Sequence, residues 1–137
     1  MKRLLLLLAV LGIISFALAT PSEASTKVTL ATSSGYGDSN YTEHYSPSLN
    51  TIKPWYVHWS VSCSGTGYYA FNLQAFVPSY STFSPAGAVN KVINSGSGTI
   101  TINYGGSGSY FVWNDYSSKC HVSVSAYEYI SGSTLAN

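Results

Sequence analysis

The stretch W-Y-V-H-W-S-V-S-C, residues Trp55–Cys63, alternates apolar and polar side chains without a break. The apolar positions are Trp55, Val57, Trp59, Val61 and Cys63, and the polar positions are Tyr56, His58, Ser60 and Ser62. Successive side chains of a β-strand point to opposite faces of the sheet, so this repeat is typical of a strand that is buried on one side. We therefore expect Trp55–Cys63 to form a strand whose second face is more polar than its first.

Similar patterns extend in both directions from this stretch. We expect further strands at Lys27–Ala31, Tyr68–Val77, Ala88–Ile93, Thr99–Tyr104, Tyr110–Asn114 and Cys120–Tyr129. Short turns rich in glycine predict two hairpins, the first across Ser64–Gly67 and the second across Gly105–Gly108. The polar stretch Thr32–Pro54 is either an underestimated strand region, with an edge strand around Tyr41–Tyr45, or a functional loop.

The composition favours an all-β protein with one domain. The chain has 137 residues, of which 45% are hydrophobic, 15% aromatic and only 8% charged. Its 12 Tyr and 12 Gly are unlike a coiled coil or a helical bundle, and the apolar content excludes global disorder. A formal net charge of +1 excludes a nucleic-acid binder that relies on basic charge. We expect a single-domain antiparallel β-sandwich, either jelly-roll-like or immunoglobulin-like.

The N-terminal residues have the pattern of a secretory signal peptide. Lys2 and Arg3 precede an uncharged apolar run, Leu4–Ala19, that is too short to span a membrane comfortably. We predict a cleaved signal at residues 1–24, cleavage after Ala24, and one mature domain at residues 25–137. The mature chain would carry four basic and four acidic residues. It has no second apolar run, which predicts a secreted, extracellular protein without a membrane span.

The two cysteines are expected to form a disulfide. Cys63 and Cys120 both fall on the apolar positions of their strands, so their side chains can meet inside the domain. An exported chain with two inward-facing cysteines most often oxidises them. No neighbouring residues show the spacing of metal ligands, and we therefore predict a structural bridge.

No motif in the sequence identifies a catalytic or cofactor site. His44, His58 and His121 lie among many serines and four carboxylates, so a triad could be assembled from almost any choice, and no nucleophile-elbow motif is present. The oxygen-rich segment Gly37–Asn40 matches no calcium-loop spacing. We predict no catalytic residue, no metal site and no cofactor.

The order of a Trp-rich strand, a cysteine, a glycine turn and a Cys-x-Val-x-Val strand resembles the general pattern of small secreted sandwich modules, such as the CUB and pre-peptidase C-terminal domains. Those modules commonly carry clustered acidic calcium ligands. This sequence has no comparable cluster, so the resemblance implies a fold class and no functional residue.

The abundance of tyrosine is the most informative functional feature. Tyrosine with serine, glycine and asparagine is the composition of adaptable recognition surfaces, although tyrosine also serves as a half-buried cover in β-proteins with few charges. The candidate binding residues are Tyr56, His58, Tyr68, His121 and Tyr127. We expect a secreted, non-catalytic recognition or surface-associated domain that binds a glycan or a cell-surface protein. The alternatives are a small hydrolase or toxin-like effector, and a self-assembling matrix or coat protein.

Overall fold

Nine strands run through the residues that the computed structural model describes, 24–78 and 84–131. They are β1 (Ser25–Tyr36), β2 (His44–Tyr45), β3 (Leu49–Thr51), β4 (Trp55–Cys63), β5 (Tyr69–Phe76), β6 (Gly87–Ile93), β7 (Ser95–Ile102), β8 (Gly106–Asp115) and β9 (Cys120–Ser131). Residues 1–23, with most of the predicted signal segment, lie outside this description. None of the described residues forms a helix long and apolar enough to cross a membrane.

The strands form two antiparallel sheets packed as a sandwich, which confirms the predicted fold class. The first sheet has the order β1-β9-β4-β7, and the second has the order β2-β8-β5-β6, with β3 also paired to β8. If β2 and β3 are counted as one interrupted strand, the chain changes sheet at every connection except β5 to β6. This is the strand order of a jelly roll, so the structure resolves the choice between the two predicted topologies.

Both predicted hairpins are wrong. β4 pairs with β7 and β9, whereas β5 pairs with β6 and β8, so the turn after β4 carries the chain from one sheet to the other. The same change of sheet separates β7 from β8. The hairpin of this region is β5–β6. Alternation in a sequence reports which face of a strand is buried, and it does not report which strand lies beside it.

β7 begins at Ser95, four residues before the strand that the sequence pattern predicted at Thr99–Tyr104, so the glycine-rich residues before Thr99 belong to the strand. Gly98 lies directly opposite Trp59 of β4. A Cβ atom at Gly98 would lie 3.0 Å from the Trp59 indole, closer than ordinary van der Waals contact. Glycine is therefore required here by the large ring on the neighbouring strand, and it does not mark a turn.

Large aromatic side chains from both sheets fill the core. Trp55 and Phe71 are fully buried, and the Trp113 side chain is 1% exposed. Two of the three buried indole groups donate hydrogen bonds inside the domain: Nε1 of Trp55 donates to the carbonyl oxygen of Tyr104 at 2.7 Å, and Nε1 of Trp113 donates to Oγ of Ser33 at 2.9 Å. Paired indoles can be buried without the cost of an unsatisfied donor.

The predicted disulfide between Cys63 and Cys120 is confirmed. The two residues lie directly opposite each other where β4 ends and β9 begins. The bridge therefore joins neighbouring strands of the first sheet and does not cross between the sheets. Cys120 is fully buried, as its apolar position predicted.

Candidate functional site

Four of the five predicted binding residues lie on the outer surface of the first sheet. This surface, here named the serine face, carries Tyr56, His58 and Ser60 of β4 and His121, Ser123, Ser125 and Tyr127 of β9. The β4–β9 register pairs Tyr56 with Tyr127 and Ser60 with Ser123. The alternation of the two strands therefore places hydroxyl and aromatic side chains together on one face.

A cluster of tyrosines occupies one end of the serine face. The rings of Tyr56 and Tyr127 are stacked with centroids 5.2 Å apart, and Tyr129 contacts both rings edge-on. Lys27 is on the neighbouring strand β1, and its Nζ lies 4.0 Å from the centroid of the Tyr127 ring. These contacts leave Tyr127 only 8% exposed, whereas Tyr129 is 44% exposed. The accessible aromatic surface of the cluster therefore comes from Tyr56 and Tyr129.

A shallow trough of hydroxyl groups follows the tyrosine cluster along the strands. Its volume is about 190 Å³, and it is lined by Thr32, Ser33, Ser34, His58, Ser60, Ser123, Val124 and Ser125. Nδ1 of His58 is 2.9 Å from Oγ1 of Thr99 on β7, which fixes the orientation of this ring. The hydroxyl groups of the trough come from Thr32 and Ser34 of β1, Ser60 of β4, and Ser123 and Ser125 of β9, whereas Oγ of Ser33 accepts the hydrogen bond from the buried Trp113 indole.

An exposed aromatic pair marks the other end of the serine face. The rings of Tyr36 and His121 meet edge-on with centroids 5.0 Å apart. Because His121 and Tyr127 are six residues apart on β9, the two aromatic ends are separated by about 20 Å. The face thus offers rings at both ends and hydroxyl groups between them.

Tyr68 does not join the other four candidates. It is 71% exposed and lies in the connection that leads from β4 in the first sheet to β5 in the second. The sequence pattern grouped Tyr68 with Tyr56 because both fall on the polar positions of their predicted strands, and the change of sheet separates them.

Among the described residues, the carboxylates form their hydrogen bonds with groups other than His58 and His121. Asp38 accepts hydrogen bonds from the backbone of its own loop, Glu43 accepts one from the Tyr45 hydroxyl, and Glu128 accepts one from the Ile52 amide. No group of three metal-ligating side chains is found among residues 24–78 and 84–131.

Asp115 is the one carboxylate that is fully buried among these residues. Oδ1 accepts a hydrogen bond from the Ser117 amide at 2.9 Å, and Oδ2 has no partner among the described residues. Burial raises the pKa of the Asp115 carboxyl above its ordinary value, and the hydrogen bond from Ser117 partly opposes this change. The backbone of Asp115 also holds the β1–β2 connection, because its carbonyl oxygen accepts from the Asp38 amide at 3.0 Å.

Asp115→Asn is expected to make the protein more stable at neutral pH and less sensitive to pH. A carboxyl whose pKa is raised by folding stabilises the fold at low pH, and this contribution is lost as the pH rises from about 3.9 through the folded pKa. Asparagine keeps an acceptor for Ser117 and cannot ionise. Urea unfolding of both proteins between acidic and neutral pH measures the difference.

Asp38→Asn is the matched control, and it should make the protein less stable at neutral pH. Hydrogen bonds from Thr42 and Asn40 hold the pKa of Asp38 below its ordinary value, so its ionised form stabilises the loop at neutral pH and the effect is lost as the pH falls. An Asp115→Asn protein that is less stable than the parent at every pH would contradict the assignment of a buried, costly charge.

The second sheet carries a polar surface that sequence analysis did not identify. Asn72 and Gln74 of β5, Asn90 of β6 and Asn114 of β8 face outward together on neighbouring strands. The outward positions of β5 could be recognised from its alternation. The neighbouring strands could not, because the pairing of β5 with β6 and β8 was not predicted.

No protein-family model matches the chain, and no curated protein matches it. Among solved structures, the chain is similar to one described by the words "Bacillus endospore appendages form a novel family of disulfide-linked pili". The two share 11% sequence identity with a TM-score of 0.43, and the match covers 80% of this chain and 93% of the other.

Proposed function

We propose that this chain is an exported, non-catalytic recognition domain that binds a glycan or a cell-surface protein through the serine face. The observation that carries the proposal is the tyrosine cluster beside the hydroxyl trough on one sheet surface. Tyrosine provides a large contact area at low entropic cost, and serine hydroxyls both donate and accept hydrogen bonds. Together they can bind a partner without relying on charge.

Secretion and an extracellular location form part of the same proposal. A disulfide is typical of proteins that fold in oxidising compartments, and the bridge between Cys63 and Cys120 is formed. The basic and apolar residues before Ala24 provide the export signal that such a location requires.

Tyr56→Ser is expected to weaken capture by the serine face about tenfold, since stacking contacts of this kind contribute about 1 kcal/mol or more each. The measurement is binding of purified, oxidised protein to arrayed glycans and to isolated cell envelopes, before and after protease treatment of the envelopes. Protease sensitivity distinguishes a protein partner from a glycan.

Tyr68→Ser is the matched control, because Tyr68 is an exposed tyrosine away from the serine face. It should leave capture unchanged. Equal capture by the parent and the Tyr56→Ser protein would refute the role of this face. Hydrolysis of an arrayed substrate that is abolished by His58→Ala or His121→Ala would favour the enzyme alternative instead.

Self-association is the second candidate function, and the outer edge of β7, which pairs with no other described strand, favours it. This strand, S-G-S-G-T-I-T-I, contains no charge and no proline, and its register with β4 is unbroken over eight residue pairs. Exposed edges are normally protected by lysine, proline or a bulge. Sedimentation at increasing protein concentration tests this candidate: association that Thr101→Lys abolishes would support it, and a monomer at every concentration would exclude it.

A further inference from the structure

The outward residues of the second sheet form rows across the strands. One row holds Asn114, Asn72 and Asn90, and the adjacent row places Gln74 beside Val112. Nδ2 of Asn72 donates to Oδ1 of Asn114 at 3.0 Å. Four carboxamides thus lie in two adjacent rows, and we name this surface the amide face.

Three aromatic rings border the amide face at one end. The Phe76 and Tyr110 rings are nearly parallel, with centroids 5.0 Å apart, and the Tyr45 ring lies 6.2 Å from Tyr110. Tyr45 is 58% exposed. At the opposite end, the exposed rings of Tyr41 and Tyr116 have centroids 5.1 Å apart. The carboxamides therefore lie between two groups of aromatic rings.

A depression of about 250 Å³ lies among the carboxamides. It is lined by Glu43, Asn72, Gln74, Val112, Trp113 and Asn114. The bond between Asn72 and Asn114 uses one amide hydrogen and one oxygen. Oδ1 of Asn72 and the amide nitrogen of Asn114 form no hydrogen bond with other described residues, and neither do the carboxamides of Gln74 and Asn90. Donors and acceptors of Asn72, Gln74 and Asn114 are therefore available side by side in the lining of the depression.

We propose that the amide face is a binding site for a neutral, β-linked polysaccharide. Sugar hydroxyls donate and accept hydrogen bonds, as carboxamides do, and the C–H faces of β-linked sugar rings pack against aromatic side chains. Ligand sites typically combine apolar walls with a few converging polar groups. The rings at the two ends supply the walls, and Asn72, Gln74 and Asn114 supply the polar groups.

The charges of the site select against an acidic ligand. Glu43 is the only charged side chain lining the depression among the described residues, and its carboxylate accepts a hydrogen bond from the Tyr45 hydroxyl. Nζ of Lys91, on β6, lies 5.6 Å from the centroid of the core residue Trp59. An acidic glycan would thus meet a like charge at Glu43 without a compensating cation in the lining.

Isothermal titration calorimetry of the full oxidised protein tests this proposal with three probes: cellohexaose, chitohexaose and oligogalacturonate. We expect one or both neutral hexasaccharides to bind and oligogalacturonate not to bind. Gln74→Ala removes an exposed side chain without disturbing the Asn72–Asn114 bond, and it should weaken the affinity about tenfold, as expected for the loss of a hydrogen bond to a ligand hydroxyl. Tyr110→Ala should weaken it at least as much.

Two control variants make the result specific to the amide face. Asn103→Ala removes an exposed carboxamide elsewhere and should leave the affinity unchanged. Tyr56→Ser alters only the serine face and should also have no effect, so this proposal can succeed or fail independently of the function proposed above. Absence of binding by both neutral hexasaccharides, unchanged affinity in Gln74→Ala and Tyr110→Ala, or equal binding of oligogalacturonate would overturn the proposal.

Discussion

Trp55→Ala is expected to lower the free energy of unfolding by about 3 to 5 kcal/mol, the range for truncation of a large aromatic residue in a core. Trp55 is fully buried on β4, between β9 and β7. The variant leaves a cavity, and it also leaves the carbonyl oxygen of Tyr104 without the indole donor. Urea unfolding monitored by circular dichroism measures the loss.

Tyr68→Ala is the control for this measurement, since its side chain is 71% exposed. It should change the stability by no more than about 0.5 kcal/mol, as is usual for surface positions. A loss below about 1 kcal/mol for Trp55→Ala would show that the core tolerates this cavity by rearranging, contrary to the expectation.

Removal of the disulfide is expected to have an effect of similar size. The bridge closes a loop of 57 residues, for which the chain-entropy model gives about 4 kcal/mol of stabilisation as an upper figure. The double variant Cys63→Ala, Cys120→Ala should lose stability approaching this value. Thermal unfolding with and without reductant checks the prediction.

The double variant also provides the control for reduction. Reductant should destabilise the parent protein and leave the double variant unaffected. Mass spectrometry first shows that the thiols of the reduced parent are free. If the reduced and oxidised parent then unfold at the same temperature, the bridge makes no contribution to stability.

The sequence predicted the buried face of each long strand more accurately than it predicted the strand's neighbours. Trp55 and Trp59 are buried and His58 is exposed, because alternation follows directly from strand geometry. Partners depend on which sheet the chain enters after each turn. The turn at Ser64–Gly67 can serve either a hairpin or a crossing between sheets, and local sequence does not distinguish them.

The candidate sites also show that the face of a residue could be predicted from the sequence and its neighbours on other strands could not. Tyr56 and Tyr127 could be placed on one face from their positions, and they stack in the structure. The amide face was missed because it exists only when Asn72 lies beside Asn114, which is 42 residues away. Local patterns contain no information about a pairing of that range.

The position of the disulfide has a mechanical consequence. A force applied to the two ends of the domain can peel β1 and unzip β9 from its C-terminal end, but the load then passes through the bond between Cys63 and Cys120. The two cysteines are 57 positions apart in the sequence. The chain between them is shielded from tension, which removes about 190 Å of contour length from the loaded path at about 3.4 Å per extended residue. β5 to β8, and most of the amide face, belong to this shielded segment. The domain can therefore bear tension at its ends while the strands of that surface stay unstretched.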